Sequence, residues 1–276
     1  MGIKAAFKQL CPPLLTPLAR TLSQRLGSGD RNLRGDFATW AEAHAHSTGY
    51  DGAQILERVL HATRTVKQGG GIFERDSIVF QAAVPPYPLL FGLSSSASFA
   101  EGSLRVLDFG GSLGSSYALC RPYLKNIPHV HWSVVEQAHY VEAGRKEFAD
   151  EELRFYDSID AAATHEKPHV VLLSGVLQYL ERPYEVLAQL AQLKIPIIID
   201  RTPWSDDAND HFTVQVVPAS IFEAQLPFRI FGRDKLRDAL TPSLQCLASF
   251  QTVDPDMECG NRLVKFGGWI YMPVEG

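Results

Sequence analysis

The chain has 276 residues, of which 45% are hydrophobic and 21% charged, with a formal net charge of −5 at pH 7. This composition predicts a globular protein, built as one large α/β domain or as one domain with an appendage. The excess of acid disfavours a general nucleic-acid binder, because neutralising phosphates requires a basic surface.

The cysteines are dispersed and form no C-x-x-C pair. Neither a zinc site nor a redox motif is indicated, and no set of metal ligands can be assembled from the sequence. We therefore expect no metal, and reduced thiols in a cytoplasmic protein. The residues concerned are Cys11, Cys120, Cys246 and Cys259.

Residues 1–29 carry basic side chains and no acid. Prolines interrupt their apolar pattern, so a signal peptide is not expected, and Ala6 stands where a myristoylation signal needs Ser or Thr. This segment is predicted to be a solvated, partly ordered terminus, with peripheral contact to an anionic membrane or a partner as the alternative. No apolar run approaches the roughly 18–20 residues that cross a bilayer, so stable membrane insertion is not expected.

Apolar residues at helical spacing predict two helices within residues 36–67, separated by a turn at 49–52. Prolines within 76–93 predict that the first part of this segment is extended and that any helix begins only near its end. A serine-rich segment at 94–98 is predicted to be a loop.

The domain boundary is therefore placed near residue 100. Residues 1–100 are predicted to form a helical cap on the acceptor side of any site, and residues 101–276 the main domain. Aromatic residues of the cap supply surface that could pack there or contact a sugar ring: Trp40, Tyr50, Phe73, Tyr87 and Phe91.

From residue 104 onward, short apolar runs alternate with amphipathic stretches. Strands are predicted at 104–109, 131–136, 153–156, 170–173, 195–199, 244–252 and 264–272. Helices are predicted at 115–125, 139–149, 184–193 and 233–240. Continuously apolar strands separated by helices are typical of a parallel sheet covered on both faces. The fold class expected is therefore α/β: a Rossmann-like, seven-stranded, mostly parallel sheet with two closing edge strands, preceded by the helical region.

A glycine-rich loop follows the first of these strands. Gly110 and Gly111 permit tight backbone geometry and close approach to a ligand, and Gly114 lets the next helix pack near the strand. Glu136 ends the second strand, where a carboxylate can accept hydrogen bonds from both ribose hydroxyls of an adenosine. The loop and this acid together predict a nucleoside-containing ligand at the carboxyl edge of the sheet.

Two cofactors use this arrangement. A nicotinamide cofactor needs G-x-G-x-x-G, but Ser112 and Ser115 occupy two of the required positions counted from Gly110. Asp108 would also face a pyrophosphate unfavourably. S-adenosylmethionine has no phosphate and carries an ammonium and a sulfonium, so an acid at this place suits it.

The segment Asp108-Phe-Gly-Gly-Ser-Leu-Gly114 resembles the first motif of the class I methyltransferase superfamily, acid-x-Gly-x-Gly-x-Gly, with Ser112 in place of the middle glycine. By element order the resemblance covers roughly residues 100–275. More narrowly, the chain resembles a bacterial methyltransferase family of unassigned substrate, some of whose relatives are associated with surface-polysaccharide assembly. The segments that carry this likeness are 107–114, 174–180, 201–203, 213–218 and 266–271.

The resemblance implies a set of residues that bind S-adenosylmethionine. Besides the loop and Glu136 with its neighbour Gln137, Asp157 would lie near the adenine amino group, although an ordinary turn residue is an equal alternative. The segment after the fourth strand would line the methyl-donor pocket, or simply pack at the start of a helix. Its members are Ser174, Gly175, Gln178 and Tyr179.

Methyl transfer relies on proximity and alignment, and a base is needed only to take up a proton. Candidates for catalysis are Asp200, Arg201 and His211, with Tyr179 as a further possibility. Strand five is expected to end at Asp200, with Pro203 preventing its continuation, so residues 201–218 are predicted to line the acceptor pocket. Alternatively, Arg201 pairs with a neighbouring acid and His211 faces water.

The function predicted is an S-adenosylmethionine-dependent methyltransferase acting on a hydroxyl or amine of a small molecule or glycan. One alternative is a methyltransferase-like binding or assembly protein without turnover. A second is an NAD(P)-dependent oxidoreductase. The oligomeric state is left open.

Overall fold

A computed structural model describes residues 32–48, 52–217, 224–241 and 243–274. The expectations for residues 1–29, Cys11, Tyr50 and the turn at 49–52 fall wholly or partly outside these ranges.

The chain forms thirteen described strands and eight described α-helices. The strands are β1 (Asn32–Phe37), β2 (Phe73–Arg75), β3 (Ile78–Phe80), β4 (Ser103–Phe109), β5 (His129–Val135), β6 (Leu153–Tyr156), β7 (Val170–Ser174), β8 (Ile197–Ser205), β9 (His211–Val217), β10 (Ala224–Gly232), β11 (Leu244–Gln251), β12 (Met257–Cys259) and β13 (Arg262–Pro273). The helices are α1 (Trp40–Ala45), α2 (Gly52–Lys67), α3 (Tyr87–Phe99), α4 (Ser115–Cys120), α5 (Ala138–Glu147), α6 (Ile159–Glu166), α7 (Pro183–Ala191) and α8 (Arg233–Asp238).

The predicted seven-stranded, mostly parallel sheet is confirmed. Strands β6, β5, β4, β7 and β8 lie side by side in that order and are all parallel. Strand β13 pairs antiparallel with β8, and β11 with β13. Because β5 lies on one side of β4 and β7 on the other, the strand order reverses between β4 and β7. Ligands bind at such switch points in open α/β sheets.

Helices cover both faces of this sheet, as alternating side chains of the buried strands show. Leu172 and Ile198 pack in one core cluster with α2, α3 and α5. Leu173 and Ile199 pack in the other with α6, α7 and α8. These four side chains are fully buried. Burial on both faces explains why the strands are apolar throughout instead of alternating.

Four further strands extend the sheet to eleven. Strand β9 pairs antiparallel with β10 and with β1, and β10 reaches β8 through two parallel pairs at Phe231 and Gly232. Strand β12 pairs with β13. The helix expected from residue 36 therefore begins at Trp40, since residues 32–37 add to the open edge of β9. Strand β9 offers this edge through its unpaired backbone groups, but it is distant in the sequence. Residues 32–37 therefore contain no local signal for the pairing.

Strand β8 does not end at Asp200, so the expectation that Pro203 stops it was wrong. It continues to Ser205, with Pro203 opposite Phe266 of β13. Arg201 has a φ of 52°, and the register of β13 shifts between Gly267 and Trp269. The backbone and pairing of β8 are therefore irregular next to Asp200, and a proline without an N–H is tolerated beside such an irregularity.

The region before β4 is only partly helical. A hairpin, β2–β3, stands where an extended approach was expected, and α3 runs through the predicted loop at 94–98. Serines remain compatible with this helix because Ser96 and Ser98 donate to the carbonyls of Gly92 and Ser94. Ile55, Leu89 and Leu93 share one core cluster with the sheet. Within the described residues, no helix is long and apolar enough to cross a membrane.

Candidate functional site

A cavity of about 1230 Å³ lies at the carboxyl edge of the parallel strands. Its walls come from the ends of β4 to β8, the hairpin β2–β3, the start of α3 and parts of β9, β10 and β11. The predicted site residues that line it are Gly110, Gly111, Ser112, Glu136, Gln137, Asp157, Ser174, Gly175, Gln178, Tyr179, Asp200 and Arg201. Asp108, Gly114 and His211 are not among its lining residues.

The glycine loop has a conformation that side chains would obstruct. Gly110 has a φ of 73°, and a Cβ there would lie 2.3 Å from Cγ2 of Val176. A Cβ on Gly111 would lie 2.5 Å from Oδ2 of Asp108. Ser112, which replaces a glycine of the resembled motif, still has a glycine-like φ of 55°. The loop therefore keeps a bare backbone against the cavity.

Asp108 supports this loop from below. It is fully buried, and its Oδ2 accepts a 2.9 Å hydrogen bond from Nε1 of Trp132. Its other oxygen has no hydrogen-bond partner among the described residues. Burial raises the pKa of Asp108 to about 7, against the effect of the Trp132 hydrogen bond. Gly114, with a φ of 95°, likewise packs against Leu153 and does not face the cavity.

Glu136 stands at the end of β5, directly beside the loop. Its two oxygens accept from the backbone N–H groups of Ser112, at 3.3 Å, and Gln137, at 2.8 Å. Burial raises its pKa, and these two hydrogen bonds oppose the shift. Asp157 lines the cavity next to it at the end of β6. Apolar residues complete this lobe of the cavity: Val135, Ile159, Val176, Leu180 and Val186.

The end of β7 lies beside Asp200 in the middle of β8. The Ser174 hydroxyl donates to Oδ2 of Asp200 at 2.8 Å, and the Gly175 N–H donates to the Asp200 carbonyl at 2.9 Å. Asp200 is only 6% exposed, and burial raises its pKa. A buried carboxylate with a raised pKa at a cavity wall is suited to accepting a proton.

Arg201 is held by acids. Its guanidinium lies 3.1 Å from Asp254 and 3.6 Å from Asp76, which occupies the turn of the hairpin. Burial alone would lower the pKa of Arg201, but the carboxylates of Asp254 and Asp76 raise it above the usual range. Arg201 therefore connects β8, the hairpin and the segment after β11.

The hairpin adds polar groups that the sequence alone did not indicate. Glu74 is 3% exposed and accepts a hydrogen bond from the Ser115 hydroxyl, while its Oε2 has no partner among the described residues. Burial raises its pKa to about 7. Oγ of Ser77 and Oε1 of Gln178 also line the cavity without a hydrogen-bond partner in the described chain. Three-residue strands have too little periodicity to be predicted, so only the charges of Glu74 and its neighbours could have drawn notice.

His211 begins β9 away from the cavity. Its Nε2 lies 2.9 Å from Asp207 and its Nδ1 3.9 Å from Asp36. The far end of the same strand does line the cavity, where Gln215 accepts a 2.8 Å hydrogen bond from the Tyr179 hydroxyl. The position of His211 does not support its assignment as a base. Part of the segment 201–218, which was predicted to line the acceptor pocket, does line the cavity.

Another part of the lining, which includes Tyr179 and Gln215, is mostly apolar. Aromatic rings and prolines dominate this part of the wall: Pro85, Pro86, Tyr87, Phe228, Phe250 and Phe266. Such a wall, with a few amide and hydroxyl groups, suits a ring-shaped ligand. No group of His, Cys, Asp and Glu residues in the described chain is placed to hold a metal ion.

No protein-family model matches this chain, and no curated protein matches it. Solved structures do match it, among them methyltransferases and a domain crystallised with S-adenosylhomocysteine. The N-terminal domain of EvdMO1, solved with S-adenosylhomocysteine and D-fucose, is 17% identical with a TM-score of 0.43, and the match covers 82% of this chain and 98% of that one.

Two further structures have similar scores. The Burkholderia thailandensis 1,6-didemethyltoxoflavin-N1-methyltransferase is 13% identical with a TM-score of 0.45, covering 90% of this chain and 97% of that one. The glycopeptide N-methyltransferase MtfA is 14% identical with a TM-score of 0.43, covering 70% and 100%. At these scores the matches carry no argument about function. Function is therefore inferred from the strand order and the geometry of the cavity.

Proposed function

We propose that this chain is an S-adenosylmethionine-dependent methyltransferase whose acceptor is a small molecule or glycan. The observation that carries the proposal is the pairing of the glycine loop, in which Gly110 and Gly111 leave no room for a Cβ, with Glu136 at the switch point of the sheet. Glu136 would accept from the ribose hydroxyls, and the apolar lobe between β5, β6 and α7 would hold the adenine. S-adenosylmethionine, when bound, supplies a methyl group on a positively charged sulfur.

Glu74 is proposed to bind the ammonium group of this cofactor. Asp108, the acid that the sequence placed beside the cofactor, is buried beneath the loop and does not line the cavity, whereas Glu74 does. A cation there would neutralise a buried carboxylate whose Oε2 has no hydrogen-bond partner among the described residues.

Glu74 also disfavours a dinucleotide as the ligand of this cavity. In dinucleotide-binding folds the pyrophosphate lies at the N-terminus of the helix after the first strand. Here the Glu74 carboxylate already accepts from Ser115, the first residue of α4. A second anion at this position would be repelled, so an NAD(P)-dependent oxidoreductase is disfavoured.

Asp200 is proposed to take up the proton of the acceptor. The bound cofactor would supply the methyl group to the acceptor oxygen or nitrogen and keep the electron pair of the broken bond on its sulfur. The acceptor proton would pass to Oδ1 of Asp200, while Ser174 holds Oδ2. The aromatic part of the lining would orient the acceptor ring.

Replacing Glu136 with Ala is expected to weaken binding of S-adenosylhomocysteine by about 1–3 kcal/mol, because two hydroxyls lose a charged acceptor. Isothermal titration calorimetry measures this directly. Glu142→Ala is the matched control, since Glu142 is an exposed residue of α5 that does not line the main cavity. Equal affinities for the two variants would remove Glu136 from the site.

A further inference from the structure

Arg75 is a cation in the cavity wall without an ion-pair partner among the described residues. Within the described chain, Arg75 and Arg201 are the two positively charged residues that line the cavity. The hydrogen bonds and ion pairs of the described residues include none for Arg75, whereas Arg201 is paired with Asp254 and Asp76. The ring of Phe73, 5.4 Å from its guanidinium carbon, is its close contact.

This side chain is held near the reacting end of the site. Burial first, and then the positive charge of Arg201, lower the pKa of Arg75 to about 10, with Asp254, Asp76 and Asp200 opposing the shift. Arg75 therefore stays charged at neutral pH. Its neighbour Asp76 lies 3.6 Å from Arg201, the residue that follows Asp200, so this part of the hairpin is next to the end of the site that contains Asp200. Glu74, by contrast, reaches towards Ser115 at the start of α4.

Arg75 is a partly buried guanidinium whose five donors have no partner in the described chain, so they are available to an anion that enters the cavity. Its planar fork matches the two oxygens of a carboxylate or phosphate. Ser77, two residues further along the hairpin, adds to the same cavity a buried hydroxyl without a partner among the described residues.

We propose that Arg75 is the oxyanion receptor of this cavity, binding a carboxylate or phosphate of a ligand beside Asp200. The proposal deepens the proposed function and rests on it, because the anion has two sources there. One is the amino-acid carboxylate of the methyl donor. The other is an acidic group on the acceptor, which would make the acceptor an anionic sugar or an acidic small molecule.

The test compares wild type with Arg75→Met, using calorimetry with two probes. S-adenosylhomocysteine carries the carboxylate, and 5′-methylthioadenosine lacks the whole amino-acid end. If the cofactor supplies the anion, Arg75→Met lowers affinity for S-adenosylhomocysteine at least about tenfold and leaves that for 5′-methylthioadenosine unchanged. Arg75→Lys, which keeps the charge without the fork, should give an intermediate loss.

If the acceptor supplies the anion, Arg75→Met binds both nucleosides normally. Wild type saturated with 5′-methylthioadenosine then binds glucuronate or inorganic phosphate, and the variant does not. Arg182→Met, at an exposed ion pair with Glu185, is the control and should behave as wild type in every titration.

The proposal is overturned if Arg75→Met binds S-adenosylhomocysteine as wild type does and also binds glucuronate or phosphate as wild type does. If the wild-type protein binds neither nucleoside, the proposed function is contradicted. Arg75 is then tested by comparing wild type with Arg75→Met for binding of glucuronate or phosphate to the unliganded protein. Melting temperatures verify that the variants are folded, and no loss is expected because Arg75 makes no ion pair in the described structure.

Discussion

Replacing Gly110 with Ala is expected to reduce affinity for S-adenosylhomocysteine by roughly 100-fold, or about 3 kcal/mol. Two effects combine at this position. An alanine disfavours the φ of 73°, and its Cβ would lie 2.3 Å from Cγ2 of Val176. The loop must shift, and its backbone then loses its position against the ligand.

Gly102→Ala separates these two effects. Gly102 has a φ of 80°, yet a Cβ there would meet no atom within 4 Å. It precedes β4 and so lies at the opposite edge of the sheet from the cavity. Gly102→Ala should lose about 1–2 kcal/mol of folding stability and keep full affinity. Wild-type affinity in folded Gly110→Ala would show that the loop does not bind the cofactor.

The second large effect is expected at Asp200. Asp200→Asn should lower methyl transfer by about 10²–10⁴-fold, the usual contribution of a positioned base, while S-adenosylhomocysteine affinity changes little. The amide oxygen can still accept from Ser174, so the fold should be kept. Because burial raises the pKa of Asp200, the wild-type rate should increase with pH above the usual aspartate range as the carboxylate ionises, and the variant should lose this rise.

The assay follows S-adenosylhomocysteine release with metabolite fractions that support turnover in wild type. His211→Asn is the control, because His211 contacts Asp207 and lies outside the cavity. It should retain full activity. A loss of activity in His211→Asn with none in Asp200→Asn would reverse the assignment of the base. Binding without release across all fractions would favour the alternative of a methyltransferase-like protein without turnover.

Local patterns were sufficient for the main sheet and for one half of the site. Strands such as 170–173 are buried on both faces, so their apolar runs are unambiguous, and the carboxyl ends of parallel strands must meet at one edge. Glu136, Ser174 and Asp200 therefore could be placed together from the order of elements alone.

The rest depends on contacts between distant segments. Strand β1 exists because β9 offers it an edge, and the hairpin that brings Glu74 and Arg75 to the cavity is set by packing of Phe73 and Phe80 against Leu119. The direction of Asp108 was missed for a similar reason. Its orientation is fixed by Trp132 on the adjacent strand, a pairing that the motif itself does not encode.

Calorimetric titration of the full chain with S-adenosylhomocysteine, beside a matched titration with NADH, tests the central claim most directly. The geometry of the cavity predicts saturable binding of S-adenosylhomocysteine at one site per chain and no heat with NADH, since the Glu74 carboxylate at the start of α4 would repel a pyrophosphate. The absence of binding by S-adenosylhomocysteine and S-adenosylmethionine, together with clear binding of NADH, would contradict it.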